Sequence, residues 1–214
     1  MEHADHSQQP ASGQHVRPRR PLLSPTAGAS WPDPGADPAA RRERAYETAA
    51  AVLRACAEDP ELAADLVRLD ETLGLDALRE LWAEPEDDGL PAALWSLYLL
   101  RAWLVRQSAE AARIYTAGRG HVPVPDAVAG VPDRPAAADL AALGNSILST
   151  ALRGDPAGAM ERAAAVHRVV AAGRFAVAQQ EQRAQEARLA EGNLRAAARL
   201  DTAAEAWRAG EAAG

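Results

Sequence analysis

The chain has 214 residues and a net charge of −7, and 48% of its residues are apolar although only 4% are aromatic. This length accommodates one domain with its own core together with tails, and the alanine-rich composition predicts a thin core built from helices. All 23 basic residues are arginine. The acidic balance nevertheless argues against nucleic acid as a partner, because phosphate backbones bind concentrated positive charge.

Cysteine occurs once, at Cys56, which excludes an internal disulfide and gives no sign of an oxidising compartment. The first ten residues, MEHADHSQQP, lack the positive region and the apolar run of a secretory signal. We therefore expect a cytoplasmic protein. Because Cys56 falls on the apolar stripe of a predicted helix, we interpret it as a small buried thiol and not as a nucleophile.

Residues 1–38 are rich in proline, glycine and serine and show no apolar period. Such a segment cannot bury enough surface to offset the entropy of ordering, so we predict a disordered tail. Its arginine cluster, HVRPRRP, could contact nucleic acid or an acidic surface, but acidic residues in the same tail balance it and favour a solvated tail. Near the start, His3 and His6 have no packed scaffold around them, and we expect no metal site.

From residue 39 onward the apolar residues recur at helical spacing, which predicts an all-α fold, an irregular multi-helix bundle over residues 39–175. The pairs Asp59-Pro60 and Asp155-Pro156 each indicate a helix start, with aspartate as N-cap and proline at the first helical position. Residues 176–214 mix alanine, glutamine, glutamate and arginine with sparse apolar anchors. For them we predict helices that break near Gly192 and are loosely docked or frayed.

The segment LPAALWSLYLLRAWLVRQ is apolar nearly all round, so we predict that it forms the central helix and that Trp95, Leu97 and Leu100 are mostly buried. At about 16 residues it is shorter than the roughly 20 that a membrane span requires, and we expect no membrane association. Arg101 lies inside this segment. If buried, it would need an acidic or carbonyl partner, and we favour the alternative in which its guanidinium reaches the surface.

The candidates for a binding site lie around a loop rich in glycine and proline at residues 118–135. Arg119 and His121 begin this loop, and Arg113 precedes them by one to two helical turns. These three residues are the best candidates for contact with a small anionic ligand or partner, although a solvated loop is the favoured interpretation. His167 lies among valines on a predicted core helix, where a hydrogen-bonded histidine is more common than a catalytic base.

Other chemistry has little support in the sequence. A phosphate-binding glycine loop needs a strand before it and a helix after it, and no segment offers that context. We therefore expect no cofactor and assign no catalytic residue.

Three stretches carry a resemblance to a known family: LPAALWSLYLLRAWLVRQSAEAARIYTAGR, PVPDAVAGV and ALRGDPAGAMERAAAVHRVVAAGR. They resemble small helical proteins of high-GC Gram-positive bacteria that are often labelled DNA-directed RNA polymerase subunit beta. The resemblance covers about residues 45–175. We interpret the label as a transferred error, because that polymerase subunit is many times longer and rich in β structure. The resemblance implies no catalytic residues.

Taken together, these features predict a non-enzymatic interaction or adaptor module that binds another protein or a second copy of itself. One alternative is a regulator that contacts RNA polymerase or nucleic acid. Another is a small-ligand-binding protein or enzyme with a site near Arg119 and His121. An apolar surface patch would favour the first function, an arginine stripe the second, and a closed pocket lined by arginine and histidine the third.

Overall fold

The computed structural model describes residues 37–82, 89–122 and 131–212. Regular structure within these residues consists of nine packed α-helices, so the predicted all-α bundle is confirmed. The predicted tail lies outside the described residues except for Asp37 and Pro38, which cap and begin the first helix. In chain order the helices are α1 (Pro38–Glu58), α2 (Pro60–Leu66), α3 (Leu69–Thr72), α4 (Leu75–Trp82), α5 (Leu90–Arg106), α6 (Ser108–Arg119), α7 (Ala137–Leu152), α8 (Pro156–Glu181) and α9 (Ala184–Ala212).

Aspartate followed by proline begins α1, α2 and α8. The Asp59 carboxylate accepts hydrogen bonds from the backbone N–H groups of Glu61 and Leu62 at 2.9 and 3.1 Å. Asp155 accepts one from Gly158 at 2.8 Å. Both predicted helix starts are therefore confirmed. Each cap satisfies donors that a helix N-terminus leaves unpaired and contributes about 1 kcal/mol.

The core is organised around two helices, of which the sequence predicted one. On α5, Leu97 and Leu100 are buried and Trp95 packs partly buried against the core, as predicted, whereas Leu99 is exposed. The second central helix is α8, which packs against α5, α6, α7 and α9. Its buried residues are mostly alanine and valine, and these small side chains let four neighbouring helices approach it closely. Among the described helices, none is both long and apolar enough to cross a membrane.

A very close contact joins α6 to α8 through two glycines. A Cβ atom placed on Gly118 would lie 1.9 Å from the Val169 carbonyl oxygen, and one on Gly173 would lie 1.9 Å from the Ile114 carbonyl oxygen. The two backbones therefore touch, and only glycine fits at either position. This contact fixes the last turn of α6, which includes Arg119, directly against α8.

The C-terminal helices differ from the prediction. The boundary expected after residue 175 falls inside α8, which continues to Glu181, and α9 runs through Gly192 without a break. The single glycine costs only about 1 kcal/mol in a helix. Against this cost, α9 buries Ala190, Ala197, Leu200 and Ala204 and lies along α8 over most of its length. Ion pairs between α8 and α9 join Arg168 to Asp201, Arg174 to Glu186, and Arg208 to Glu161.

Arg101 also differs from the prediction, because its guanidinium is buried and does not reach the surface. Its side chain is 3% exposed and forms ion pairs with Asp70 at 2.5 Å and Glu71 at 2.6 Å. Its Nε donates to Asn145 Oδ1 at 2.8 Å. Arg106 forms a second pair with Asp70 at 3.1 Å. This network joins α3, α5 and α7, and it supplies the acidic partners that a buried guanidinium requires.

Candidate functional site

The three predicted ligand contacts differ in burial. Arg113 is exposed on α6, and His121 is exposed just beyond the end of that helix. Arg113 and Arg119 are six residues apart, so they project about 120° from each other around a helix of 3.6 residues per turn. Only Arg119 turns inward, with its side chain 13% exposed.

Around Arg119 the structure brings together polar residues from three helices and one loop. Tyr115 precedes it by one turn on α6 and is fully buried. From the loop before α7, the Asp133 carboxylate accepts a hydrogen bond from Arg119 Nη2 at 2.6 Å. From α8, Arg162 Nη1 donates to Ser146 Oγ on α7 at 3.1 Å. We name Tyr115, Arg119 and Arg162 the arginine–tyrosine cluster, with Asp133 and Ser146 as its hydrogen-bond partners.

The electrostatics of Tyr115 indicate that both arginines lie near its hydroxyl. Burial raises the pKa of Tyr115, because the phenolate would lose its hydration. The positive charge of Arg119, a hydrogen bond from its guanidinium and the positive charge of Arg162 lower this pKa and offset part of the rise. Two guanidinium groups, one on α6 and one on α8, therefore act on the same buried hydroxyl.

Several polar atoms of this cluster are buried without a partner. Arg119 Nε, Arg119 Nη1 and Arg162 Nε have no well-aligned hydrogen-bond acceptor within the described part of the chain. A buried donor without an acceptor costs about 1–3 kcal/mol, and such groups are uncommon in folded proteins. The cluster therefore holds more donors than its own residues satisfy.

Sequence reasoning found Arg119 but missed Tyr115 and Arg162. The spacing of Tyr115 and Arg119 was a signal, because residues at i and i+4 share one face of a helix. Arg162 follows α7 by ten residues in the sequence, and only the packing of α8 against α6 brings it to the cluster. No local sequence pattern predicts that contact.

A second feature is an apolar groove between α1 and α9. Both helices pack against α5, and they leave a groove of about 380 Å³ between them. Tyr46, Ala50 and Arg54 line it from α1, and Ala206 and Trp207 are among the residues that line it from α9. The Tyr46 side chain is 52% exposed, and the buried indole N–H of Trp207 has no acceptor within the described residues.

A third feature is a wide, open groove of about 550 Å³ along the outer face of α7. Arg68, Arg101 and Arg153 line it together with Asn145, Ser146 and other residues. Arg101 is already neutralised by the ion pairs of the α3–α5 network. The positive charge offered to solvent therefore comes from Arg68 and Arg153, both of which are exposed.

Two residues considered from sequence have structural roles. Cys56 is buried in the core, and burial raises the pKa of its thiol, which disfavours the reactive thiolate. Nδ1 of His167 forms a hydrogen bond of 2.8 Å with Oδ1 of Asn193 on α9. Burial also lowers the pKa of His167. The histidine therefore links α8 to α9, in agreement with the predicted hydrogen-bonded role.

Comparison of the chain with known protein families, with curated proteins and with solved structures finds no match in any of the three. The function is therefore inferred from the surface of the molecule.

Proposed function

We propose that this protein is a non-enzymatic interaction module that binds an amphipathic helix of a partner protein in the groove between α1 and α9. The observation that carries the proposal is the groove itself, in which a tyrosine and a tryptophan flank small apolar residues. Its volume of about 380 Å³ lies within the range of about 300–1,000 Å³ that is common for ligand clefts.

The groove has the form that helix recognition requires. Ala50, Ala203 and Ala206 carry side chains of one carbon, so the backbone of a bound helix can approach closely. Tyr46 and Trp207 stand beside them, and both residue types are enriched among the residues that dominate binding energies at interfaces. Partners of such grooves insert apolar residues spaced at i, i+3, i+4 and i+7.

The charge and the hydrogen-bond donors of the groove indicate which chemical groups the partner carries. Arg54 is the charged residue that lines the groove, so a carboxylate beside the apolar stripe of the partner would meet it. The Trp207 indole N–H is buried without an acceptor in the described chain. A carbonyl or carboxylate oxygen of the partner would satisfy this donor. We therefore infer an amphipathic helix with an acidic edge.

Site-specific cross-linking in the native cell tests this proposal. A photoreactive benzoyl-phenylalanine replaces Tyr46 in the groove or, as the matched control, Arg44, which is exposed on the far side of α1. We expect the Tyr46 position alone to capture a defined protein, through a segment that is amphipathic, helical and acidic. A synthetic peptide of that segment should then bind the purified chain.

Two outcomes would contradict the proposal. Equal capture from the Tyr46 and Arg44 positions would show that the groove has no special role. Capture of a second copy of the chain, matched by a dimer in sedimentation, would replace the partner helix with self-association.

The alternative of a regulator that contacts nucleic acid has one supporting observation, the arginine-lined groove on α7. Two facts count against it. Arg101 is neutralised by Asp70 and Glu71, and the whole chain has a net charge of −7. Two exposed arginines can contact far fewer phosphates than the roughly six to ten that strongly salt-dependent DNA binding involves.

A further inference from the structure

We propose that the arginine–tyrosine cluster binds the phosphate group of a small ligand, and that the Asp133 carboxylate competes with this group for Arg119. This site is separate from the groove between α1 and α9. It uses side chains from α6 and α8 that the proposed partner helix does not contact.

Unpaired hydrogen-bond donors are the first observation. Within the described residues, Arg119 has two buried guanidinium nitrogens without a well-aligned acceptor, and Arg162 has one. Keeping such groups buried is costly unless an acceptor meets them. A phosphate presents several oxygens in a tetrahedral arrangement, so one group can accept from donors that approach from different directions.

Charge is the second observation. The cluster contains two guanidinium groups, and its only carboxylate partner in the described structure, Asp133, has a side chain that is 90% exposed. A positive charge therefore remains in a partly buried place. A carboxylate ligand would add one negative charge, whereas a phosphate near neutral pH carries close to two and balances both arginines.

Access and rigidity are the third observation. Because Asp133 is exposed and lies before the start of α7, its carboxylate can leave Arg119 without any change in helix packing. The donors themselves are held firmly. The contact of Gly118 with α8 fixes α6, and Arg162 is oriented by its hydrogen bond to Ser146. Donors that are positioned in advance favour binding, because less entropy is lost when the ligand arrives.

Calorimetric titration of the full chain with inorganic phosphate tests this site. We expect saturable binding that becomes tighter in Asp133→Asn, since the competing carboxylate is removed. Arg162→Met should weaken binding by about tenfold or more, as expected for the loss of a charged hydrogen-bond donor. Arg134→Ala, at an exposed arginine beside Asp133, is the matched control and should bind like the parent chain within about twofold.

A second variant covers the case in which Arg162→Met does not fold. Tyr115→Phe removes only the hydroxyl from a buried ring, and we expect weaker phosphate binding with the helical circular dichroism unchanged. A folded parent chain and a folded Asp133→Asn variant that both fail to bind phosphate would overturn the proposal. Equal losses in Arg134→Ala and Arg162→Met would also overturn it, and so would tighter binding of acetate than of phosphate.

Discussion

Replacing Gly118 with alanine tests the contact that places the arginine–tyrosine cluster. The new methyl group would lie 1.9 Å from the Val169 carbonyl oxygen and 2.8 Å from the Gly173 nitrogen. Both atoms belong to backbone, so no side chain can rotate away and α6 must move from α8. Such overpacking costs about 1–3 kcal/mol or more. Alanine gains about 1 kcal/mol over glycine in helix propensity, which is too little to offset a clash of this depth.

We therefore expect Gly118→Ala to lower the free energy of unfolding by about 2 kcal/mol, as measured by urea denaturation followed by circular dichroism. Gly192→Ala is the matched control, since its new methyl group would meet nothing closer than a flexible arginine at 4.0 Å. That control should gain about 0.5–1 kcal/mol from helix propensity. A Gly118→Ala variant as stable as the parent chain would refute the close packing of α6 on α8.

The remaining predictions concern the core, the buried ion network, pH and nucleic acid. Leu97→Ala should cost about 2–5 kcal/mol in urea denaturation, and a loss below about 0.5 kcal/mol would contradict the burial of α5. Arg101→Met should lower the free energy of unfolding by about 3–5 kcal/mol, because the buried Asp70 carboxylate loses its main partner. Adding Asp70→Asn to this variant should recover part of that loss. Because burial lowers the pKa of His167 below its usual value, the unfolded chain takes up a proton first as pH falls. The melting temperature should therefore drop below about pH 6.5, less steeply in His167→Gln. Duplex DNA should bind no tighter than about 10⁻⁴ to 10⁻⁶ M at physiological salt, and sub-micromolar binding abolished by changing the tail arginines would favour the regulator. Those tail residues are Arg17, Arg19 and Arg20.

Local signals in the sequence were sufficient to predict the helix starts and the central helix. Asp59-Pro60 and Asp155-Pro156 specify their own helix starts, because the capping side chain and the capped N–H groups lie within three residues of each other. The apolar surface of α5 can likewise be predicted from one continuous stretch of sequence. Contacts of this short range depend little on the rest of the fold.

Features that depend on contacts between residues far apart in the sequence could not be predicted from such local signals. Arg101 is buried because Asp70, 31 residues earlier, reaches it across the fold, and an isolated arginine in an apolar helix favours the surface. The continuity of α9 depends on alanines that pack along α8, and alanine carries too little apolar area to mark a buried stripe. Arg162 joins Tyr115 only because glycines allow α6 and α8 to touch.

The groove between α1 and α9 is tested most directly by titrating the captured partner segment, as a labelled peptide, against two variants of α9. Ala206→Glu places a carboxylate in the groove, and Ala198→Glu places the same charge about two turns earlier on the same helix, at an exposed residue that does not line the groove. Both variants should fold like the parent chain. We expect Ala206→Glu to weaken peptide binding by about tenfold or more, because it inserts a charge against an apolar and acidic ligand, while Ala198→Glu leaves the affinity unchanged. Equal affinities for the two variants would contradict a binding role for this groove.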